Sequence, residues 1–185
     1  MRADTLTNRL LEKNIIKEED AQIYRFGMEC LAIKAVTFLS YVVIALVMAK
    51  LKDFAIIMLV FVPLRKAAGG FHAKTKMRCY LLSCGLLAAA LFLCRGIVNL
   101  SMWTAILGIM DIAFLWMAPI DHENKRMDEE EICFFRKRTR VRLLLVNAAC
   151  VVLAVLGFDE LFRAAVLGEG MSFFLLVSGK LQAKR

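Results

Sequence analysis

A histidine and a cysteine seven positions apart carry the most reactive chemistry in this chain. His72 is one of two histidines, and Cys79 follows it across a polar, basic segment that opens with Gly69 and Gly70. A cysteine is a strong nucleophile only as its thiolate, and a nearby imidazole can take up the proton and later return it to a leaving group. The pair therefore predicts a cysteine protease with Cys79 as nucleophile and His72 as base.

This spacing also predicts local structure. On one continuous α-helix, residues seven positions apart are separated by roughly 10 Å along the axis, whereas proton transfer requires a contact of about 3 Å. We therefore expect the helix to break between His72 and Cys79. Gly69 and Gly70 permit sharp turns, which places His72 in a loop or short re-entrant piece and Cys79 at the start of the next helix. An ordinary cytoplasmic loop with a cysteine at the membrane edge would have the same composition.

The elements that must position this pair belong to a membrane protein. The 185 residues are 60% hydrophobic with a mean hydropathy of +0.63, which is too apolar for a soluble domain of this size. The net charge of +8 could suggest nucleic acid, but the basic residues lie between apolar runs, as in cytoplasmic loops. We therefore expect one membrane domain over residues 1–185, in contact with the lipid bilayer and without a nucleic-acid partner.

The apolar runs predict an all-α integral membrane protein with about six transmembrane or partly re-entrant helices. An amphipathic interfacial helix is expected within residues 1–30, membrane helices with a catalytic loop at 65–79 within residues 31–179, and a basic tail at 180–185. The six runs are 31–49, 54–64, 79–94, 97–120, 143–158 and 161–179. The run Phe54–Leu64 would rise only roughly 17 Å as a helix, about half the hydrocarbon core, and Pro63 is expected near its end.

The charges between the runs predict the orientation of the chain. If all six runs cross with both termini inside, twenty of the twenty-five lysine and arginine residues lie on the cytoplasmic side. Cytoplasmic loops of membrane proteins are enriched in these residues. His72 and Cys79 are therefore expected at the cytoplasmic face of the cell membrane, with both termini.

The residues around the pair also follow the order of a known family signature. Arg65, then Gly69-Gly70, Phe71-His72-Ala73 and Cys79 resemble the signature of the accessory gene regulator B family, membrane endopeptidases that mature quorum-sensing peptides. Met117–Asp121 is similar to a second, weaker block of that family. The resemblance covers essentially the whole chain, and its specificity lies almost wholly between Arg65 and Cys79.

The resemblance implies a substrate and a reaction. The substrate would be a precursor peptide with an amphipathic leader, a core containing cysteine or serine, and an acidic C-terminal tail. Cys79 would attack the carbonyl at the end of the core and His72 would protonate the departing tail. A side chain of the core would then displace Cys79 from the thioester and close a thiolactone or lactone. The resemblance also implies a homodimer and a Gram-positive bacterial source, and we expect no cofactor.

Other polar residues are candidates for support of the site. Arg65 could bind a substrate carboxylate or anchor its helix end to phospholipid headgroups. Asp111 and Glu169 lie within membrane runs, where ionisable groups usually have a function or a partner. Asp111 could orient His72, or pair with a lysine, an arginine or a polar neighbour. Asp121, in the second family block, could assist at the loop.

Cys84 is the rival nucleophile. It lies roughly 7 Å further along the helix and deeper in the bilayer, where desolvation disfavours a thiolate, so Cys79 is preferred. A zinc site built on His72, Cys79 and Cys84 lacks a fourth ligand, and no metal is expected. The six cysteines are expected as free thiols.

Two other functional classes fit the composition. In the first, the chain is a small transporter or peptide exporter in which Asp111 and Glu169 line the path. The absence of an inverted repeat and the small number of intramembrane charges argue against it. In the second, the chain is an assembly subunit without activity. Only the protease requires the Cys79 thiol. Substitution of Asp111 or Glu169 would abolish activity in the transporter, whereas all these substitutions would be silent in a cleavage assay of the subunit.

Overall fold

The computed structural model describes residues 3–13, 15–71, 75–96, 99–120 and 128–183. These residues lie in helices and in the short turns beside them, and they form no strand. A 3-10 turn occupies Glu18–Asp20. The α-helices are α1 (Ala3–Glu12), α2 (Ala21–Val47), α3 (Leu51–Ala68), α4 (Lys76–Leu93), α5 (Leu100–Met117), α6 (Glu129–Val155) and α7 (Asp159–Ala183). The all-α class expected from the sequence is confirmed.

Among the described residues, three helices are long and apolar enough to cross a membrane. They are α2 together with its preceding turn, α5, and α7, while α4 contains a shorter apolar stretch, Met77–Leu93. Helix α6 is also long, but its first half carries the acidic and basic residues of the charged segment and its second half carries the fifth apolar run. The chain is therefore an all-α membrane protein.

Helix α3 is longer than the apolar run that predicts it. It contains 18 residues and continues for five residues beyond Pro63, where the sequence predicts its end. At 1.5 Å per residue it measures roughly 27 Å, close to the hydrocarbon thickness of about 30 Å. Proline removes one backbone donor and its ring crowds the carbonyl four residues earlier, but neighbouring helices can hold such a helix together in a membrane. Here Arg142 of α6 donates to the Pro63 carbonyl, and Ser172 of α7 donates to the Phe61 carbonyl at 3.3 Å.

Residues 1–43 form one compact unit and residues 44–185 form another. The first unit holds α1 and most of α2. Many of the large apolar side chains on α2 are exposed, including Ile23, Phe26, Leu31 and Phe38. Such a surface suits lipid, because hydrocarbon tails are as apolar as the side chains that face them.

Helix α7 is central to the second unit, where it contacts α3, α4, α5 and α6. Its closest approach is to α3, because Gly168 has no side chain to hold the two helices apart. A Cβ built on Gly168 would lie 2.7 Å from the carbonyl oxygen of Ile57. Small residues allow membrane helices to approach closely in this way. The apolar core around the contact includes Leu64, Phe114 and Leu176, all fully buried.

Candidate active site

The segment between α3 and α4 contains the helix break that the spacing of His72 and Cys79 predicts. Helix α3 ends at Ala68 and α4 begins at Lys76. Residues 69–71, which we name the glycine loop, follow α3 directly. His72 and Asp121, two of the predicted site residues, lie outside the described residues. The site is therefore built here from the glycine loop, Cys79 and the side chains around them.

Both residues of the glycine pair adopt backbone conformations that favour glycine. Gly69 has a φ of +72° and Gly70 a φ of +129°. Each is also tightly surrounded: a Cβ on Gly69 would lie 3.0 Å from the carbonyl oxygen of Ile120, and a Cβ on Gly70 would lie 2.7 Å from that of Leu175. The pair thus provides the turn and also lets the main chain approach its neighbours closely.

Arg65 holds the glycine loop from the last turn of α3. Its guanidinium donates one hydrogen bond to the Gly69 carbonyl and another, 2.5 Å long, to the Phe71 carbonyl. The planar fork of arginine can bridge two acceptors, which a lysine ammonium does less specifically. The sequence offered substrate binding or lipid anchoring for Arg65, and the structure adds a third role in which it orders the loop.

The loop is also fixed by α7 and by the end of α5. The Phe71 backbone N–H donates to the Leu175 carbonyl of α7 at 2.7 Å, and the Ile120 N–H donates to the Ala68 carbonyl at 3.1 Å. Gly179 of α7 lies directly against the loop, since a Cβ there would be 2.6 Å from the Phe71 nitrogen. Sequence reasoning missed Leu175 and Gly179. A glycine within an apolar helix was the available signal for Gly179. The second family block, which contains Ile120, was the available signal for the contact between the end of α5 and the end of α3.

Cys79 lies in the first turn of α4, as its position after the glycine pair predicts. Its side chain is exposed, whereas that of Cys84 is half-buried. Thr75 caps the helix: its side-chain oxygen accepts a hydrogen bond from the Arg78 N–H at 3.3 Å, and its carbonyl accepts from the Cys79 N–H at 3.1 Å. An accessible thiol therefore follows a capped helix start.

Asp111 interacts with a polar neighbour, which is one of the alternatives that the sequence left open. The Asn147 amide of α6 donates to an Asp111 carboxyl oxygen at 3.0 Å. Glu169, on α7, lies at the level of Asp111, since a Cβ on the adjacent Gly170 would be 3.7 Å from the sulfur of Met110. These three side chains bring α5, α6 and α7 together.

Comparison with known proteins gave a match at the level of the family. A family model described as accessory gene regulator B matches residues 3–176. The match includes the glycine loop, Cys79 and Leu175, and it ends before Gly179. No curated protein and no solved structure matches the chain.

Proposed function

The chain belongs to the accessory gene regulator B family, and on this basis we propose that it is a membrane-embedded cysteine endopeptidase that matures a quorum-sensing peptide. Membership of the family gives the chain a role in the accessory gene regulator system of quorum sensing and links it to peptide processing. The mechanism, the substrate and the orientation in the membrane are our proposal.

One observation carries the proposal: an accessible Cys79 lies in the first turn of α4, after a loop that three contacts from α3 and α7 hold in place. The loop residues are fixed by the Arg65 side chain, by the Leu175 carbonyl and by the packing of Gly179. Catalytic groups must be held closely to the reactive geometry, because misplacement by about 1 Å can cost a hundredfold in rate. His72 is the next residue in the sequence after Phe71.

The proposed reaction begins with transfer of the Cys79 thiol proton to His72. The thiolate attacks the carbonyl carbon at the junction of the core and the acidic tail, and the carbon–nitrogen bond then breaks. His72 gives its proton to the departing amine, which becomes the new N-terminus of the tail. A thiol or hydroxyl of the core next attacks the thioester, closes the thiolactone or lactone, and returns a proton to the Cys79 sulfur through His72.

The start of α4 is our candidate for stabilising the oxyanion. The first N–H groups of a helix have no partner within the helix and point toward its N-terminal end. Those of Arg78 and Cys79 already donate to Thr75. The earlier N–H groups of the turn are therefore the candidates.

Charge and composition support the remaining parts of the proposal. The excess of basic residues in the segments expected on the inside favours a cytoplasmic site with both termini on that side. The same residues would attract the acidic tail of a precursor. A homodimer in a Gram-positive bacterial membrane is proposed on the family resemblance alone.

The test is cleavage of a cognate precursor peptide by the purified protein in lipid. We expect Cys79→Ala and His72→Ala to lose at least about a hundredfold in rate, since each removes an essential group. Cys84→Ala is the matched control on the same helix and should cut normally. The wild type should also accumulate a peptide thioester at Cys79 that hydroxylamine releases. If Cys79→Ala still cuts the precursor, the proposed nucleophile is wrong.

A further inference from the structure

Three polar side chains meet inside the second unit, away from the glycine loop. Asp111 comes from α5, Asn147 from α6 and Glu169 from α7. Glu169 has no exposed surface, which is rare for a carboxyl group. An ionised carboxylate in such a place is costly unless a cation or several donors compensate its charge.

Glu169 has no such compensation among the described residues. Neither of its carboxyl oxygens accepts a hydrogen bond from an N–H or O–H donor, and no lysine or arginine of the described segments forms an ion pair with it. The Asp111 carboxyl is its neighbour on α5: a Cβ on Gly170, next to Glu169, would lie 3.7 Å from the sulfur of Met110, next to Asp111. From α6, the buried thiol of Cys150 is the other titratable neighbour. Within the same segments, α3 and α4 also pack against α7 but provide no hydrogen bond or ion pair to Glu169.

The orientation of Asn147 indicates whether the carboxyl groups of Asp111 and Glu169 suit a metal cation. Its amide nitrogen donates both to the Asp111 carboxyl oxygen and to the Leu143 carbonyl, each at 3.0 Å. Because the Leu143 carbonyl can only accept, the amide must present its N–H₂ group to Asp111. A donor in this position disfavours a metal cation, which needs oxygen ligands. In addition, no group of three or more His, Cys, Asp or Glu side chains in the described segments could hold a metal ion.

We propose that Asp111 and Glu169 form a proton-binding site in the interior of the helix bundle, with one proton held between the two carboxyl groups. In this arrangement one carboxyl O–H donates to the other carboxylate, and Asn147 adds a second donor to Asp111. Two facing carboxyl groups in apolar surroundings hold a proton because they cannot both be ionised without strong repulsion.

The shared proton joins helices that reach the glycine loop. Helix α5 leads to Ile120, which bonds to the end of α3, and α7 carries the Leu175 carbonyl that accepts from Phe71. Loss of the proton places two negative charges between α5 and α7. The site therefore couples protonation in the membrane interior to the spacing of the two helices that hold the loop.

Infrared spectroscopy of the full chain in lipid tests the proposal without any activity assay. At neutral pH the wild type should show the carbonyl band of a buried protonated carboxyl group. Glu169→Gln should remove it, since a glutamine amide can donate to an ionised Asp111. Glu160→Gln, at an exposed position of the same helix, is the matched control and should keep the band. A wild type without the band, or a band that persists in Glu169→Gln, overturns the proposal.

Denaturation in mild detergent is a second, independent measurement. A folded state that holds one proton which the unfolded chain releases loses stability as the pH rises, by up to about tenfold in the unfolding equilibrium constant per pH unit. Glu169→Gln should reduce this slope and Glu160→Gln should not. If added Na⁺, compared with choline at equal ionic strength, stabilises the wild type but not Glu169→Gln, the pair binds a metal cation and the proposal is wrong.

Discussion

Gly179 of α7 lies so close to the backbone of Phe71 that no side chain fits between them. A Cβ at Gly179 would be 2.6 Å from the Phe71 nitrogen and 2.8 Å from the Cα of Gly70. The obstacle is main chain, which cannot rotate away as the end of a flexible side chain can. The last turns of α7, more than 90 residues further along the chain, therefore determine where the residue before His72 lies.

We expect Gly179→Ala to displace the glycine loop and lower precursor cleavage by up to about a hundredfold, because catalytic groups tolerate little misplacement. Gly170→Ala is a control on the same helix, since its Cβ would meet only the Met110 sulfur at an ordinary 3.7 Å. The rate of cleavage and the thermal stability of both variants provide the comparison. Equal rates for the two variants would show that the loop does not depend on α7.

Gly70→Ala should also be nearly inactive. Its φ of +129° is unfavourable for alanine, and the new Cβ would lie 2.5 Å from an Arg65 nitrogen and 2.7 Å from the Leu175 carbonyl oxygen. Gly85→Ala in α4 provides the control, because its Cβ would meet nothing within 4 Å. That substitution should leave cleavage unchanged and, since alanine favours helix over glycine, stabilise the protein by roughly 0.5–1 kcal/mol. Normal cleavage by Gly70→Ala would contradict the close packing of the loop.

Arg65→Lys separates the contribution of the positive charge at this position from that of the two hydrogen bonds to the glycine loop. Lysine keeps the positive charge but lacks the fork that bonds both the Gly69 and the Phe71 carbonyl. Hydrogen bonds to charged groups contribute roughly 1.5–3 kcal/mol each, so loss of the fork should lower kcat by about tenfold or more.

The neighbouring Lys66, which is exposed, supplies the control: Lys66→Ala should cut at the normal rate. If Arg65→Lys retains full activity, charge alone is sufficient, and binding of a substrate carboxylate or a lipid headgroup would explain the residue better than ordering of the loop.

Thiol labelling tests the orientation of the site. Single-cysteine variants that retain Cys79 or Cys133, both exposed, should react with a membrane-impermeant maleimide in inverted vesicles and not in right-side-out vesicles. A variant that retains only the buried Cys150 should not react in either preparation before denaturation. Labelling of Cys79 in right-side-out vesicles would place the site on the opposite face from the one proposed.

Much of the site could be predicted from sequence because the signals are local. Two adjacent glycines and a candidate histidine–cysteine pair, at a spacing incompatible with one helix, predict the break between α3 and α4 and the position of Cys79 in the first turn. Apolar runs predict the membrane helices. The same method missed the full length of α3, because Pro63 and the charged residues at both ends mask a helix that its neighbours sustain.

The sequence by itself determined the helical class, the helix break and the position of Cys79 at the start of a helix, since each follows from the properties of residues near one another in the chain. Only the tertiary structure decided that α7 is central, that Leu175 and Gly179 fix the glycine loop, and that Asp111 meets Asn147 and Glu169. These relationships join residues tens of positions apart. They depend on how closely small side chains let helices approach, which the spacing of residues along the chain does not encode.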